Sequence, residues 1–380
     1  MAEYPQSSFS EHRCDLQLPE LRSLIERKFR VTDVFFDQTG TYAFVVADDP
    51  FKQKFVELVN ELASDNFIPV IRRENQRLTI RVLRRAPPKQ TRPIINLMLF
   101  LATIGSIFVA GYTLWNSNTF LKEVLLANAN GYEQAALFAA SLLSIIGLHE
   151  LGHKVAAKMH RLDATMPYFI PGPPPFGTFG AVISLRSPPV NKDQLFDLGF
   201  SGPLVGFLAT IGVTIFSFQT GIIVAEPQVQ LWAGKGLVSF VTWPSSPLLL
   251  YLLDLLQIRH VPAGSVLIFT QIEFAAWVGA LLTFLNILPI WQLDGGHISR
   301  AVFGSHGHKI ATIIGLGVLF VTGYWFFALF LVLWMFAGRR ALSGVEPLDD
   351  VSPLTFPRKL AFGLALVILV LCFVVINPAI

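Results

Sequence analysis

Long apolar runs constrain this 380-residue chain more than any other feature. The first covers residues 94–115, and a helix of that length crosses about 30 Å of hydrocarbon. Five more runs follow, at about 135–159, 199–225, 264–290, 310–337 and 360–376. The pattern predicts a polytopic α-helical membrane protein with about six to seven spans, integral to a lipid bilayer.

The composition agrees with this reading. Charged residues make up 14% of the chain and hydrophobic residues 53%, whereas soluble domains have about 25% charged residues. Such a chain needs an apolar solvent for much of its surface. The net charge of +3 is small, and we expect no nucleic-acid partner.

The N-terminal part differs in character from the rest. Residues 1–17 are a polar tail, and residues 18–88 predict a small α+β domain with the element order α-β-β-α-β-β. This domain carries no catalytic or phosphate-binding motif, so we interpret it as a folded appendage whose partner is unknown. Residues 94–338 form the predicted membrane core, and residues 339–380 a C-terminal tail with the last transmembrane helix.

Basic residues predict the orientation. Eight Arg and Lys residues between positions 72 and 92 precede the first span, which places the 18–88 domain in the cytoplasm. Counting spans from there brings the ends of the second and fourth runs to the cytoplasmic side. The run at 310–337 is either one tilted helix or a hairpin that breaks near Gly323. The hairpin is favoured, because it returns Arg339 and Arg340 to the cytoplasm.

A metal-binding pattern ends the second run. His149 and His153 are four residues apart, so a helix presents both imidazoles on one face to a single zinc ion. Glu150 lies beside them, where a carboxylate can take a proton from water. Ionisable groups at the end of a membrane span are costly unless they ligate, pair or line a water-filled cavity. The pattern therefore predicts two metal ligands and a general base.

The third ligand should lie at a similar depth in the membrane, because catalytic zinc commonly takes three protein ligands. Asp294 follows the fourth span and arrives on the same side as the two histidines. His297 is a rival, three residues further on. Glu273 lies earlier in the fourth run and is placed nearer the outer half of the membrane.

The motif HELGH, followed in a later span by NILPIWQLDGGH, resembles the site-2 protease family of intramembrane zinc metalloproteases. The resemblance covers about residues 94–338. It implies one Zn²⁺ held by His149, His153 and Asp294, with Glu150 as the base, and cleavage of peptide bonds in or near transmembrane segments of membrane-protein substrates. Such cleavage is the chemistry of regulated intramembrane proteolysis.

The resemblance extends to substrate-binding residues. Asn286 matches the family's Asn before LDG, and it is a candidate oxyanion donor or a partner in an interhelical hydrogen bond. The segment after HELGH resembles the family's membrane-associated hairpin, which implies substrate contacts from Gly177, Thr178, Phe179 and Gly180. Family members often carry an Asn at the position of Gly206.

Two other functions remain open from the residues. A membrane zinc transporter would need ligands at several depths, and His306 and His308 would be further candidates. Their surroundings, Ser305 and Gly307, instead predict an exposed connector. A non-catalytic membrane chaperone would not need an intact HExxH. Zinc-dependent turnover would distinguish a protease from both.

Overall fold

A computed structural model describes residues 18–36, 41–47, 51–85, 93–237, 246–256, 258–337, 342 and 344–375. The predicted tail at 1–17 lies outside these ranges, as do Arg339 and Arg340, whose charges favoured the hairpin. The helical membrane character and the small strand-containing domain that the sequence predicted are both present.

The N-terminal domain has the predicted order of elements. Its helices are α1 (Leu18–Glu26) and α2 (Lys52–Ala63), and its strands are β1 (Val31–Phe36), β2 (Tyr42–Val46), β3 (Phe67–Glu74) and β4 (Arg77–Arg84). The strands pair antiparallel in the order β1-β2-β4-β3, which leaves β3 at an edge. α2 buries Phe55, Leu58 and Leu62 against the sheet, because residues three and four apart share one helical face.

Three helices in the described part of the chain are long and apolar enough to cross a membrane: α3 (Pro93–Ser117), α4 (Gly131–Met159) and α5 (Lys192–Thr220). A short π-helical turn (Leu121–Leu125) separates α3 from α4. Between α4 and α5 lies a hairpin of β5 (Tyr168–Pro171) and β6 (Thr178–Val182). β5 packs against α3, and β6 contacts both α3 and α4.

Helix α5 lies at the centre of the membrane core, in contact with α4 and with several later helices. Its first turn is capped, because Asn191 accepts a hydrogen bond from the Gln194 backbone N–H while the Gln194 side chain accepts one from Val190. After α5 come β7 (Ile222–Ala225), α6 (Glu226–Gly234), α7 (Leu248–Leu255) and β8 (Ser265–Ile268). β7 and β8 pair antiparallel.

The C-terminal helices are α8 (Gln271–Ile287), α9 (Asp294–Val321), α10 (Trp325–Ala337) and α11 (Phe356–Leu371). α9 and α10 are separated at Gly323, whose φ of 91° ends a helix. A break therefore occurs where the sequence predicted one. α8 and α10 are apolar but shorter than α3 to α5.

The prediction of an exposed connector at residues 305–308 is wrong: the segment is helical, and one of its two histidines is buried. These residues continue α9 beyond a kink at Gly304, where φ is 70°. His306 is exposed, but His308 is fully buried, and its Nδ1 lies 2.7 Å from Ser299 Oγ. The Gly- and Ser-rich composition suggested a loop, whereas packing of the second half of α9 against neighbouring segments keeps the chain helical.

Candidate active site

Helix α4 presents the side chains of the HExxH motif toward the interior of the membrane core. His149 and Glu150 are 8% and 5% exposed. Both histidine rings lie on the helix face that packs against α5, as their four-residue spacing requires. The motif is therefore withdrawn from the lipid-facing side, where Leu151 and Val155 are exposed.

The two histidines meet Asp294, the first residue of α9. His149 Nε2 lies 3.2 Å and His153 Nε2 lies 3.3 Å from Asp294 Oδ2, and the two Nε2 atoms are 3.1 Å apart. Ligand atoms around a tetrahedral zinc ion, each about 2.0–2.1 Å from the metal, are about 3.3 Å from one another. The three atoms thus form one face of a zinc-sized tetrahedron.

The hydrogen-bond partner of His153 Nδ1 shows which ring nitrogen carries a proton. His153 Nδ1 is 2.8 Å from the Leu198 carbonyl oxygen in α5, and a carbonyl accepts only, so Nδ1 carries the proton. In the neutral imidazole Nε2 is then unprotonated, and it lies 3.3 Å from Asp294 Oδ2 and 3.1 Å from His149 Nε2. Such a convergence of lone pairs suits a cation. It also matches the usual outer-shell arrangement of a metal-binding histidine, whose other N–H donates to a backbone carbonyl.

Glycines allow α5 to approach both imidazoles. A Cβ added at Gly202 would collide with the ring of His153, and one added at Gly206 would lie 3.0 Å from His149 Nδ1. On the opposite side, a Cβ at Gly152 would lie 2.6 Å from the Ser201 carbonyl oxygen. At Gly206, the position where family members often carry Asn, the His149 ring therefore packs directly against the glycine backbone.

Helix α9 approaches α5 just as closely at the third ligand. A Cβ at Gly199 would lie 2.6 Å from the Asp294 carbonyl oxygen and 2.7 Å from His297 Cβ. A Cβ at Gly295 would collide with the carbonyl of Ile287, so the LDGG turn folds back tightly on the end of α8. The glycines after Asp294 thus place its carboxylate against α4.

Glu150 is positioned for a role other than ligation. Its Oε2 is buried and has no hydrogen-bond partner among the described residues. Burial of an unpaired carboxylate oxygen costs free energy, unless water or a substrate group occupies the space next to it. This is the environment of a group that exchanges protons with a reactant.

His297, the rival ligand, does not join the ligand group. The group of His149, His153 and Asp294 has its ligand atoms within 4.8 Å of one another, and it does not include His297. His297 is half-buried on the α9 face that packs against Gly199 of α5, and its buried Nδ1 has no hydrogen-bond partner in the described part of the chain.

Asn286 lies in α8, which packs against α4 and α5, and the hairpin packs against α3 and α4. The Asn286 side chain is half-buried, and the described residues offer it no hydrogen bond, so the interhelical bond considered from the sequence is absent there. Gly177 has φ 75° and packs on the α3 backbone, where its carbonyl accepts a 2.6 Å hydrogen bond from Ser106. Phe179 is 71% exposed on β6.

The sequence did not indicate the Leu198 carbonyl or Gly199 as parts of this site, and it indicated Gly202 only through the resemblance of residues 201–204 to the family's central span. The signal that could have found them is the spacing of Gly199, Gly202 and Gly206, which repeats along one face of a membrane helix. Small residues at such spacing mark close helix contacts. The spacing alone does not reveal that the contact is made with zinc-binding side chains.

The geometry agrees with a comparison to known proteins. Residues 137–330 match the profile of peptidase family M50, and this match covers about half of the chain. The chain belongs to peptidase family M50. The resemblance to the site-2 protease family is thereby confirmed. Zinc is the cofactor of this peptidase family, and the His-His-Asp group fits it.

Curated relatives of this M50 protein are plant proteins. "Probable zinc metalloprotease EGY1, chloroplastic" of Arabidopsis thaliana is 29% identical over 352 residues, which cover 86% of this chain and 61% of the relative. The protein of the same name from Oryza sativa subsp. japonica is 28% identical over 280 residues, covering 65% and 46%. The chain thus spans about half the length of these relatives. No solved structure matches it significantly.

Proposed function

We propose that this M50 protein is an intramembrane zinc metalloprotease that hydrolyses peptide bonds in or near transmembrane segments of membrane proteins. The observation that carries the proposal is the triangle of His149, His153 and Asp294, with the unpaired Glu150 carboxylate beside it on a helix long enough to span a membrane. His149, His153 and Asp294 would hold one Zn²⁺.

When bound, the metal polarises a peptide carbonyl and makes water a stronger acid. Glu150 would take the proton of the attacking water through its unpaired Oε2 and deliver it to the nitrogen of the departing amine. The Leu198 carbonyl would keep the proton of His153 on Nδ1, so that Nε2 stays available for ligation. Because His149 and Glu150 are buried, electrostatic interactions within the site are stronger than they would be in bulk water.

Asn286 would contribute a donor to the developing oxyanion. Its amide is half-buried and has no partner among the described residues, so donating to a substrate requires no existing bond to break. Preorganised donors of this kind contribute about 10²–10³ in rate.

A substrate helix must become extended before its carbonyls can be attacked, and β6 offers a template. In its two-stranded sheet, β6 pairs with β5 along one edge only, and it contacts α4, the helix that carries HELGH. The residues Gly177, Thr178, Phe179 and Gly180 lie at this strand and its turn. A substrate strand added to the second edge would gain main-chain hydrogen bonds.

The N-terminal domain and the active site would face the cytoplasm. The basic residues before α3 and at the end of α4 support this orientation, since positive charge remains on the cytoplasmic side. A single cysteine introduced at position 160, in a chain lacking Cys14 and Cys372, would then resist labelling by an impermeant maleimide applied from outside cells. Labelling from outside would overturn the orientation.

The decisive experiment is cleavage of a reconstituted transmembrane peptide library by purified protein, read by mass spectrometry. Wild type should cleave, a chelator should stop cleavage, and Zn²⁺ should restore it. Glu150→Gln should bind zinc and trap substrate without cutting it. Glu133→Gln, on an exposed position of the same helix, is the matched control and should cleave normally.

Other results would refute the proposal. Zinc flux across vesicles without peptide cleavage would favour a transporter. Peptide binding that does not depend on zinc, without turnover, would favour a non-catalytic chaperone.

A further inference from the structure

Residues 346–352, between α10 and α11, form a segment that we call the strap. It lies between the edge strand β3 of the N-terminal domain and the residues that precede α5. The Ile71 N–H donates to the Leu348 carbonyl over 3.0 Å, and the Asp349 N–H donates to the Val190 carbonyl over 2.7 Å. Asp349 forms one parallel β-bridge with Ile71 and another with Asn191. The strap therefore extends the N-terminal sheet to the start of α5.

Side chains reinforce this contact. Leu348 and Val190 are 4% and 7% exposed and belong to the same apolar cluster as the core of the N-terminal domain. Arg72 of β3 donates to the Leu348 carbonyl over 2.7 Å and approaches Glu346. The domain thus needs the strap to complete its core, which means that the two are docked and not merely adjacent.

A second contact joins α2 to the same region. Lys52 Nζ lies 2.7 Å from Asp193 Oδ2 in the first turn of α5 and 3.0 Å from the Pro353 carbonyl. Asp193 also accepts from the Thr355 N–H over 3.0 Å. Two separate elements of the N-terminal domain, β3 and α2, therefore contact the start of α5 and the region of the strap.

The strap is fastened to α9 by a buried ion pair. Arg300 is fully buried, and its two terminal nitrogens bond both oxygens of Asp350, at 2.9 and 2.8 Å. Lys192 approaches the same carboxylate at 3.7 Å. A bidentate guanidinium–carboxylate pair fixes both distance and direction. Arg300 lies six residues after Asp294, about 9 Å of helix rise.

The two helices that the strap holds are those that shape the proposed zinc site. α5 supplies the Leu198 carbonyl that orients His153, and α9 supplies Asp294. They touch backbone to backbone at Gly199, so a shift of α9 along or away from α5 moves the Asp294 carboxylate relative to the histidines.

We infer that the docked N-terminal domain, acting through the strap, holds α9 in the position at which Asp294 completes the zinc-binding group, with Arg300 and Asp350 as positioning residues. The inference deepens the proposed function and rests on it. Undocking the domain would leave the two histidines on α4 and would displace Asp294, the ligand that α9 carries. Docking of the N-terminal domain is therefore required for full zinc affinity.

The experiment measures zinc affinity of the full-length purified protein by chelator competition, together with the visible spectrum of the Co²⁺-substituted protein. The variants are Asp350→Asn, which removes the charge, Asp350→Glu, which keeps the carboxylate, and Arg72→Met, which removes the side-chain contacts of β3 with Leu348 and Glu346. Arg22→Met is the matched control, because Arg22 pairs with Glu26 on the exposed face of α1.

We expect Asp350→Asn and Arg72→Met to weaken zinc binding by about 10- to 100-fold, as loss of groups that support ligands does, and to change the Co²⁺ spectrum. Asp350→Glu should recover most of the affinity, and Arg22→Met should match wild type. Arg72→Met remains informative if Asp350→Asn fails to fold, since its side chain is partly exposed.

Wild-type zinc affinity and an unchanged Co²⁺ spectrum in folded Arg72→Met and Asp350→Asn would overturn the inference while leaving the proposed function intact. Equal loss in Asp350→Glu and Asp350→Asn would also count against it, because a retained carboxylate should still fasten α9. If wild type binds zinc but cleaves no peptide, the proposed function fails, and the affinity measurements still decide whether the strap positions Asp294.

Discussion

Replacing Gly202 with Ala tests whether close packing of α5 positions the two histidines proposed to bind zinc. The new methyl group would occupy space that the His153 ring fills, so the ring or the helix must move. Insertion of a methyl group into a packed core costs about 1–3 kcal/mol. The ring can relieve this strain by swinging away, but then its Nε2 leaves the position facing Asp294.

That strain converts directly into metal affinity. If the ring swings away in the metal-free protein and must return to bind zinc, a strain of about 1–3 kcal/mol weakens zinc binding by about 5- to 150-fold. Metal–ligand distances tolerate only about 0.2 Å, so no intermediate ring position keeps full affinity. Gly206→Ala should have a smaller effect, because its added Cβ would lie 3.0 Å from His149 Nδ1.

The assay is competition with a chelator of known affinity, and α5 itself supplies the control. Gly212 is on the same helix, and a Cβ there would meet nothing within 4 Å. Gly212→Ala should therefore bind zinc like wild type and gain up to about 1 kcal/mol from better helix propensity. The reasoning is refuted if folded Gly202→Ala binds zinc as tightly as Gly212→Ala.

Three further outcomes are expected. Glu150→Gln should retain zinc while lowering the cleavage rate by about 10²–10⁴, the contribution of a general base, as shown by metal content and single-turnover kinetics. Asp294→Asn should lower zinc stoichiometry at equal free metal, since a neutral amide is a poorer ligand than a carboxylate; stoichiometric tight binding would exclude it as a main ligand. Asn286→Ala should lower kcat by about 10²–10³ with little change in thermal stability, and an unchanged kcat would remove it from the oxyanion site.

Much of the architecture was predictable because it depends on local periodicity. The N-terminal domain shows this, since Phe55, Leu58 and Leu62 share a helical face that the sequence displays directly. The break at Gly323 was predictable for a similar reason, because glycine readily adopts the left-handed conformation that ends a helix. The convergence of Asp294 with HELGH was expected from membrane depth alone, and the distances agree with it.

The features that escaped prediction depend on contacts between distant segments. No local pattern predicts that Ser299 Oγ will hydrogen-bond the His308 ring, because the kink at Gly304 lies between the two residues. The role of the Leu198 carbonyl is invisible because every residue has a carbonyl, and only the docking of α5 on α4 selects this one. The pairing of Ile71 with Leu348 joins positions almost 280 residues apart, which no local pattern encodes.

The pairing of β3 with the strap also constrains the order in which parts of the protein can complete their folding. The N-terminal domain is synthesised before the membrane helices, yet Leu348, which belongs to its apolar core, follows α3 to α10 in the chain. Asp350, which fastens α9, follows immediately. If the strap positions Asp294, the nascent chain inserts the HELGH helix long before it can hold zinc fully, and the zinc-binding group is completed only after the strap has been synthesised.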